Sequence, residues 1–257
     1  MRNNSNKEPL SYISFRVVLD ILLIIILFVF FLKTFVLDFF LVSSESMENT
    51  ILKKDLIFIS KIAYFLGINY EIPYIGFKVN DKFRIKLRSP KRNEIVIFVN
   101  NFYKLNNQSE NYIIKRIKLV PNDLIYYNTT NYGSIVYAKS PPDLFESEYK
   151  VAIIPQQGQT IHLYKSNLPF YKHIIQNEGN TVELKENQIL INDKVQNKYT
   201  FKYNHYFVEG DNNFNSYDSR SYGLVPESAI IGKALFIFWS RSPKKEHFFD
   251  RFLKFLE

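Results

Sequence analysis

The run Val17–Val36, VVLDILLIIILFVFFLKTFV, is the most apolar in the chain and constrains everything after it. Its twenty residues, at about 1.5 Å each, match a hydrocarbon core of about 30 Å. Asp20 and Lys33 stand near its two ends, where each side chain can reach a headgroup layer. Arg2, Lys7 and Arg16 precede the run against Glu8 alone, whereas Asp38, Glu45 and Glu48 come before the next lysine. The positive-inside rule therefore places residues 1–16 in the cytoplasm and 37–257 outside it, with 17–36 crossing the cell (inner, cytoplasmic) membrane once. The rival reading is a cleavable leader ending at Val42-Ser43-Ser44. Such a cut would untether the chemistry-bearing residues that follow, so the run is read as an uncleaved anchor.

Beyond the anchor, short runs rich in Ile, Val, Phe and Tyr alternate with Asn, Asp, Pro and Gly, as strands and turns do. Leu56–Ala63, Lys82–Leu87, Glu94–Val99, Tyr112–Leu119 and Thr160–Tyr164 read as strands. So do Thr181–Leu184, Gln188–Ile191, Tyr199–Tyr203, His205–Glu209 and Ile230–Ser240. This predicts a mainly β protein, an N-terminal transmembrane helix followed by an antiparallel β-sheet ectodomain, closed as a barrel or sandwich. The core is expected over about 38–125 and 200–244, with an inserted subdomain over about 126–199. In the aromatic tail Lys245–Glu257, Phe248, Phe249, Phe252, Phe255 and Leu256 recur at helical spacing, which predicts a second helix.

Composition narrows the function by exclusion. The net charge of +8 suits an anionic surface, but the basic residues are scattered among acids and follow no nucleic-acid-binding pattern. With no Cys, disulfides, thiolate metal sites and cysteine nucleophiles are excluded. The four His residues, His162, His173, His205 and His247, form no ligand pair, so neither a metal nor another cofactor is expected.

Three blocks carry polar chemistry. Ser44-Glu45-Ser46-Met47-Glu48-Asn49-Thr50 lies just outside the anchor, and Ser46 is either a loop serine or a nucleophile. Lys115 stands in the middle of the apolar run Tyr112–Leu119. On the solvent face it is an ordinary lysine. Facing the core it is driven toward the neutral amine, a base able to take a serine proton. The third block runs from Glu209 to Pro226, EGDNNFNSYDSRSYGLVP. It reads as a turn cluster, as a calcium loop whose spacing fits poorly, or as support for a Ser–Lys dyad. In the last case Ser216 bonds the Lys115 amine, while Asp218 and Arg220 pair to hold the loop.

In this order, after an apolar segment, the blocks resemble the bacterial type I signal peptidases. That family carries S-x-S-M-x-P-T, then G-D-[IV]-V-x-F, then Y-I-K-R-[VI]-x-G-x-P-G-D, then G-D-N-R-x-N-S-x-D-S-R-x-[WY]-G-x-V-P. Here these are Ser44–Thr50, Asn93–Phe98, Tyr112–Asp123 and Gly210–Pro226. The resemblance implies a serine endopeptidase with Ser46 as nucleophile and Lys115 as general base. It implies an oxyanion hole from the Ser46 N–H and the Ser44 hydroxyl. Ser216 would orient Lys115, and Asp211, Arg116, Asp218 and Arg220 would brace the site. Phe40, Val42, Met47, Ile51, Ile113 and Ile114 would line shallow pockets for small side chains. The implied partners are Ala-x-Ala signal peptides of secreted preproteins and the lipid bilayer.

The sequence also departs from that pattern. Asn49 stands for Pro, Asn93-Glu94 for Gly-Asp, Leu119 and Asn122 for Gly, Asn213 for Arg, and Phe214 for a polar residue. An additional Ile makes the strand Tyr-Ile-Ile-Lys. A catalytically inactive, membrane-tethered relative acting as a binding domain is the principal alternative. The S-x-x-K of penicillin-binding enzymes occurs at Ser242–Lys245, but without its partner motifs.

Overall fold

The computed structural model describes residues 10–67, 84–99, 112–129, 135–138, 149–244 and 249–256. Helix α1 (Leu10–Phe31) ends in a π-helical turn, Leu32–Val36. Strands β1 (Leu37–Leu41), β2 (Asp55–Ser60), β3 (Phe65–Leu66), β4 (Ile85–Lys86), β5 (Ile95–Val99) and β6 (Tyr112–Leu119) follow. Next come β7 (Leu124–Thr129), β8 (Ile135–Ala138), β9 (Lys150–Ile153), β10 (Thr160–His162), α2 (Leu168–Asn177) and the strands β11 (Val182–Lys185), β12 (Gln188–Ile191), β13 (Lys194–Val195) and β14 (Lys198–Thr200). The chain then makes β15 (His205–Glu209), α3 (Ser219–Tyr222), β16 (Val225–Pro226), β17 (Ile230–Ser240) and β18 (Lys254–Phe255). The protein is therefore mainly β.

The span Phe15–Val36 is long and apolar enough to cross a membrane, and none of its most apolar window is buried against protein. A helix apolar on every side and unpacked needs an apolar solvent. Its start precedes the expected Val17, and its last turn is π rather than α. There the Thr34 hydroxyl donates to the Phe30 carbonyl at 2.8 Å, an insertion that loosens helical geometry.

The central antiparallel sheet runs β1-β2-β17-β5-β6-β15-β16, with β18 added beside β17. Every residue of β5 is buried because both faces of the sheet are covered. Ile95, Ile97 and Val99 pack with Val42, Met47, Ile51, Ile57 and Ile59. Their alternating neighbours Val96 and Phe98 pack on the other face with Tyr64, Ile117, Tyr206 and Val208. A third cluster joins β7, β9, α2 and β12 to Leu119 and Phe207. At the mouth of the sheet Glu94 accepts from Arg88, Lys233, Tyr64 and the Lys91 N–H. Burial alone would raise its pKa, but these donors, Arg88 foremost, hold it down to about 2.

Several boundaries differ from the sequence expectation. Lys61–Ala63 forms a 3-10 turn, not the end of a strand, and Tyr199–Tyr203 shortens to β14. Lys82 and Phe83 of the expected Lys82–Leu87 strand lie outside the described residues, and of the rest Ile85–Lys86 pairs with β3. Helix α2 has no counterpart in the sequence expectation, although Pro169 opens it and Leu168, Phe170, Tyr171, Ile174 and Ile175 form its buried face.

The aromatic tail is not the expected helix. Residues 245–248, with Phe248, lie outside the described residues; 249–253 turn, with Leu253 at φ +52°, and β18 joins β17. Tertiary contacts override the helical spacing. Arg251 pairs with Asp55, which is fully buried, at 2.6 Å and donates to the Thr50 carbonyl at 2.8 Å. Phe255 meets Phe236 across the sheet, completing an aromatic face that includes Phe39, Phe58, Phe238, Phe249 and Phe252.

Candidate active site

Ser46 sits in the turn that follows β1, and Lys115 sits in the middle of β6, opposite Val96 of β5. Both are buried, and Lys115 Nζ lies 2.5 Å from Ser46 Oγ. The residues are 69 positions apart in sequence, and the sheet order brings them together. A lysine amine held in hydrogen-bond contact with a serine hydroxyl, away from water, has the reach and environment of a base. The Ser44 hydroxyl is 3.4 Å from Ser46 Oγ and exposed.

The turn carrying Ser46 is clamped from two directions. Its carbonyl accepts from the Asn212 N–H at 3.0 Å, while Asn212 Nδ2 donates to the Glu45 carbonyl at 3.1 Å. Asp211 accepts from the Thr50 hydroxyl at 2.6 Å and takes two bonds from Arg116, at 2.8 and 2.7 Å. Burial opposes ionisation of Asp211, but Arg116 and Thr50 keep its pKa below the usual carboxylate value. Arg116 also donates to the Asn93 carbonyl at 2.9 Å, tying the clamp to the turn before β5.

Asp218 is buried and braces the second loop. It accepts from the Gly210 N–H at 3.0 Å and from Arg220 at 2.9 and 2.8 Å, and its carboxylate caps α3. Burial pushes its pKa up, and the Arg220 and Gly210 donors outweigh that and lower it.

Gly210 has a steric role at this point. A Cβ there would lie 2.3 Å from the Ser46 carbonyl oxygen and 2.2 Å from Ser216 Oγ. Ser216 Oγ is buried with no hydrogen-bond partner among the described residues, so the expected bond to Lys115 is not formed. The hydroxyl lies close enough to Asp218 to help lower its pKa, without hydrogen-bond geometry.

Of the expected pocket residues, Phe40, Val42, Met47, Ile51 and Ile114 share one cluster beside the Ser46 turn. Ile113 packs instead on the opposite cluster, with Tyr64, Phe98 and Ile117. Adjacent strand residues face opposite sides, and that separates Ile113 from Ile114. Sequence reading does not single out Asn49, Thr50 and Asn212 as braces. Their partners lie more than 160 positions away, and no local signal pairs them. Among the described residues no group of three His, Asp or Glu side chains gathers to hold a metal.

A family profile described as signal peptidase, peptidase S26, matches residues 15–132 and 195–239, more than half of the chain. The chain belongs to the signal peptidase family. It is a serine endopeptidase by that membership. Signal peptidase I of Buchnera aphidicola subsp. Baizongia pistaciae is 31% identical over 249 residues, covering 86% of this chain and 76% of that one. Signal peptidase I of Helicobacter pylori (strain J99) is 28% identical over 86% of this chain and 80% of its own. The Pseudomonas aeruginosa enzyme of the same name is 26% identical, over 91% and 75%.

The departures of this chain from the family motifs have local explanations. Asn93 and Asn122, in place of glycine, adopt φ of +70° and +73°, a left-handed conformation that Asn tolerates better than most residues. Leu119, also in place of glycine, ends β6 inside the third cluster. Asn49, in place of proline, donates Nδ2 to the Asp211 carbonyl at 2.6 Å, a bond proline cannot make. The Asn213 carbonyl accepts from Arg220, whereas Phe214 is fully exposed and nothing in the structure explains it.

Proposed function

We propose that this protein removes N-terminal signal peptides from exported precursors, with Ser46 as nucleophile and Lys115 as its base. The observation that carries the reading is the buried contact of 2.5 Å between Lys115 Nζ and Ser46 Oγ. The step requires the neutral amine, the form of lysine that can accept a proton. In acylation the amine takes the Ser46 proton as Oγ attacks the scissile carbonyl. The resulting oxyanion is held by the Ser46 N–H and the Ser44 hydroxyl. Lys115 then returns the proton to the leaving amine of the mature protein. Water, deprotonated by the same amine, hydrolyses the acyl-enzyme and frees Ser46. Ser216, buried and unbonded among the described residues beside Gly210, is the hydroxyl available to orient Lys115 once substrate excludes water.

Phe40 and Ile114, partly exposed over the buried Val42, Met47 and Ile51, offer an apolar surface beside the nucleophile suited to the small side chains of an Ala-x-Ala site. The anchor crosses the cell membrane with residues 1–16 inside and the catalytic residues outside. The exposed rings of Phe39, Phe249 and Phe255 rest in the lipid interface, where aromatic rings gather. Residues 126–199 form an inserted unit on the catalytic core, in keeping with a family match that skips 133–194.

The test is cleavage of a purified precursor bearing an Ala-x-Ala site, in lipid or detergent. Wild type is expected to cut after the second Ala, and both Ser46→Ala and Lys115→Ala to lose the activity. A folded wild type that fails to cut would make the inactive-relative reading the better one. A Lys115→Ala variant cutting at the normal rate would remove Lys115 as the base.

A further inference from the structure

Lys61 is buried, yet both partners that its ammonium meets among the described residues belong to the junction between anchor and catalytic domain. It donates to the Lys33 carbonyl at 2.9 Å and pairs with Asp38 at 2.8 Å. Lys33 lies in the π-helical turn that ends the anchor, and Asp38 is the second residue of β1. Helix ends leave carbonyls without intrahelical partners and carry partial negative charge, so a cation there satisfies both. A lysine taken out of water needs this compensation. No linker intervenes, because the π turn ends at Val36 and β1 starts at Leu37. That strand is paired with β2 from Leu37 opposite Ser60 to Leu41 opposite Leu56. Ser46 follows in the next turn.

We propose that Lys61 is a positioning residue that fixes the height of Ser46 above the membrane. It thereby sets the distance between a precursor's membrane-embedded apolar segment and the bond that is cut. The proposal rests on the signal-peptide-cleaving reading above. The five residues of β1, at about 3.3 Å each, carry the chain about 17 Å from the end of the anchor, and Val42–Glu45 then lead to Ser46. A precursor whose apolar segment ends at the same depth needs a stretch matching the rise from the anchor to Ser46, of which β1 accounts for about five extended residues. Shorter stretches fall short, and longer ones must buckle. This selection works only while helix and sheet keep one angle, which Lys61 maintains from the sheet side.

The experiment uses the full chain in vesicles, with membrane-inserted precursors whose Ala-x-Ala site lies from about three to about nine residues beyond the apolar segment. A short water-soluble Ala-x-Ala peptide, which has no membrane segment, is assayed in parallel. The unmodified protein is expected to cut within a narrow range of spacings. In Lys61→Met, precursors about two residues off the optimum should gain about tenfold relative to the optimal one, with peptide cleavage within about twofold of wild type. Lys61→Arg should restore the narrow profile, and Asp38→Asn, a milder change, should broaden it partially. An unchanged spacing profile in Lys61→Met overturns the proposal. So does a parallel fall of precursor and peptide cleavage, which would make Lys61 a residue of general stability alone. If the unmodified protein cuts neither substrate, the protease reading fails, and this one with it.

Discussion

Gly210→Ala tests whether close backbone approach sets the geometry of the Ser46 turn. The added Cβ would lie 2.3 Å from the Ser46 carbonyl oxygen and 2.2 Å from Ser216 Oγ, where ordinary contact begins near 3.4 Å. The serine hydroxyl can rotate away. The Ser46 carbonyl cannot, because it is backbone held by the Asn212 N–H. Relief therefore requires the Ser46 turn to retreat by about 1 Å, the difference between 3.4 and 2.3 Å. A displacement of that size at a reacting group lowers turnover by about 100-fold, equivalent to about 2.7 kcal/mol of barrier. The assay is precursor cleavage, with kcat and KM separated and a melting curve on the same sample. We expect kcat to fall by about two orders of magnitude while KM changes little, since Phe40 and Ile114, which lie on strands outside the turn, stay in place. A Gly210→Ala variant that melts like wild type and cleaves within about threefold of it would refute the reasoning.

Two further predictions concern stability. His205 is fully buried, and burial pushes its pKa down to about 3, although Nδ1 faces the Tyr203 carbonyl. As pH falls below 6.5 the unfolded chain takes up a proton that the folded chain refuses until about 3, so stability declines through that window. Between pH 6.5 and 5, above the range where carboxylates contribute, the loss from this group is about 2 kcal/mol. Unfolding at both pH values should show it in wild type and not in His205→Leu, and an equal loss in both would sink the assignment. Arg251→Met leaves the fully buried Asp55 without its guanidinium and should cost about 3 kcal/mol, a melting-point drop of about 9 °C. Adding Asp55→Asn should recover part of that drop, and a single variant melting like wild type would mean the pair contributes nothing.

The parts of this protein legible in its sequence are those where one residue type at one spacing admits few alternatives. The N-terminal helix is legible because its apolar run, broken only by Asp20 and Lys33 near its ends, is long enough to cross a membrane and has nothing packed on it. The strand carrying Lys115 is legible because an apolar run seats a lysine in its middle. Helix α2 escapes a reading of the sequence because its buried face is short and interrupted by Lys172 and His173, which look like ordinary loop charges. The tail misleads for a different reason. Phe249, Phe252 and Phe255 keep helical spacing, but the edge of β17 and the Asp55 carboxylate decide their conformation, and neither lies nearby in sequence. The same holds for the clamp on Ser46, whose donors and acceptors come from opposite ends of the chain. Ile113 and Ile114 differ in the face of the strand they present, and a motif read as a string assigns both to one pocket.

The bond from Arg251 to the Thr50 carbonyl bridges 201 positions. A ribosome has made Ser46, Lys115 and both loops before it reaches residue 251. During that interval the serine turn exists without the guanidinium that steadies Thr50 and Asp55. The serine turn therefore gains this brace only once the chain has been made through Arg251, so its final geometry waits on a late segment.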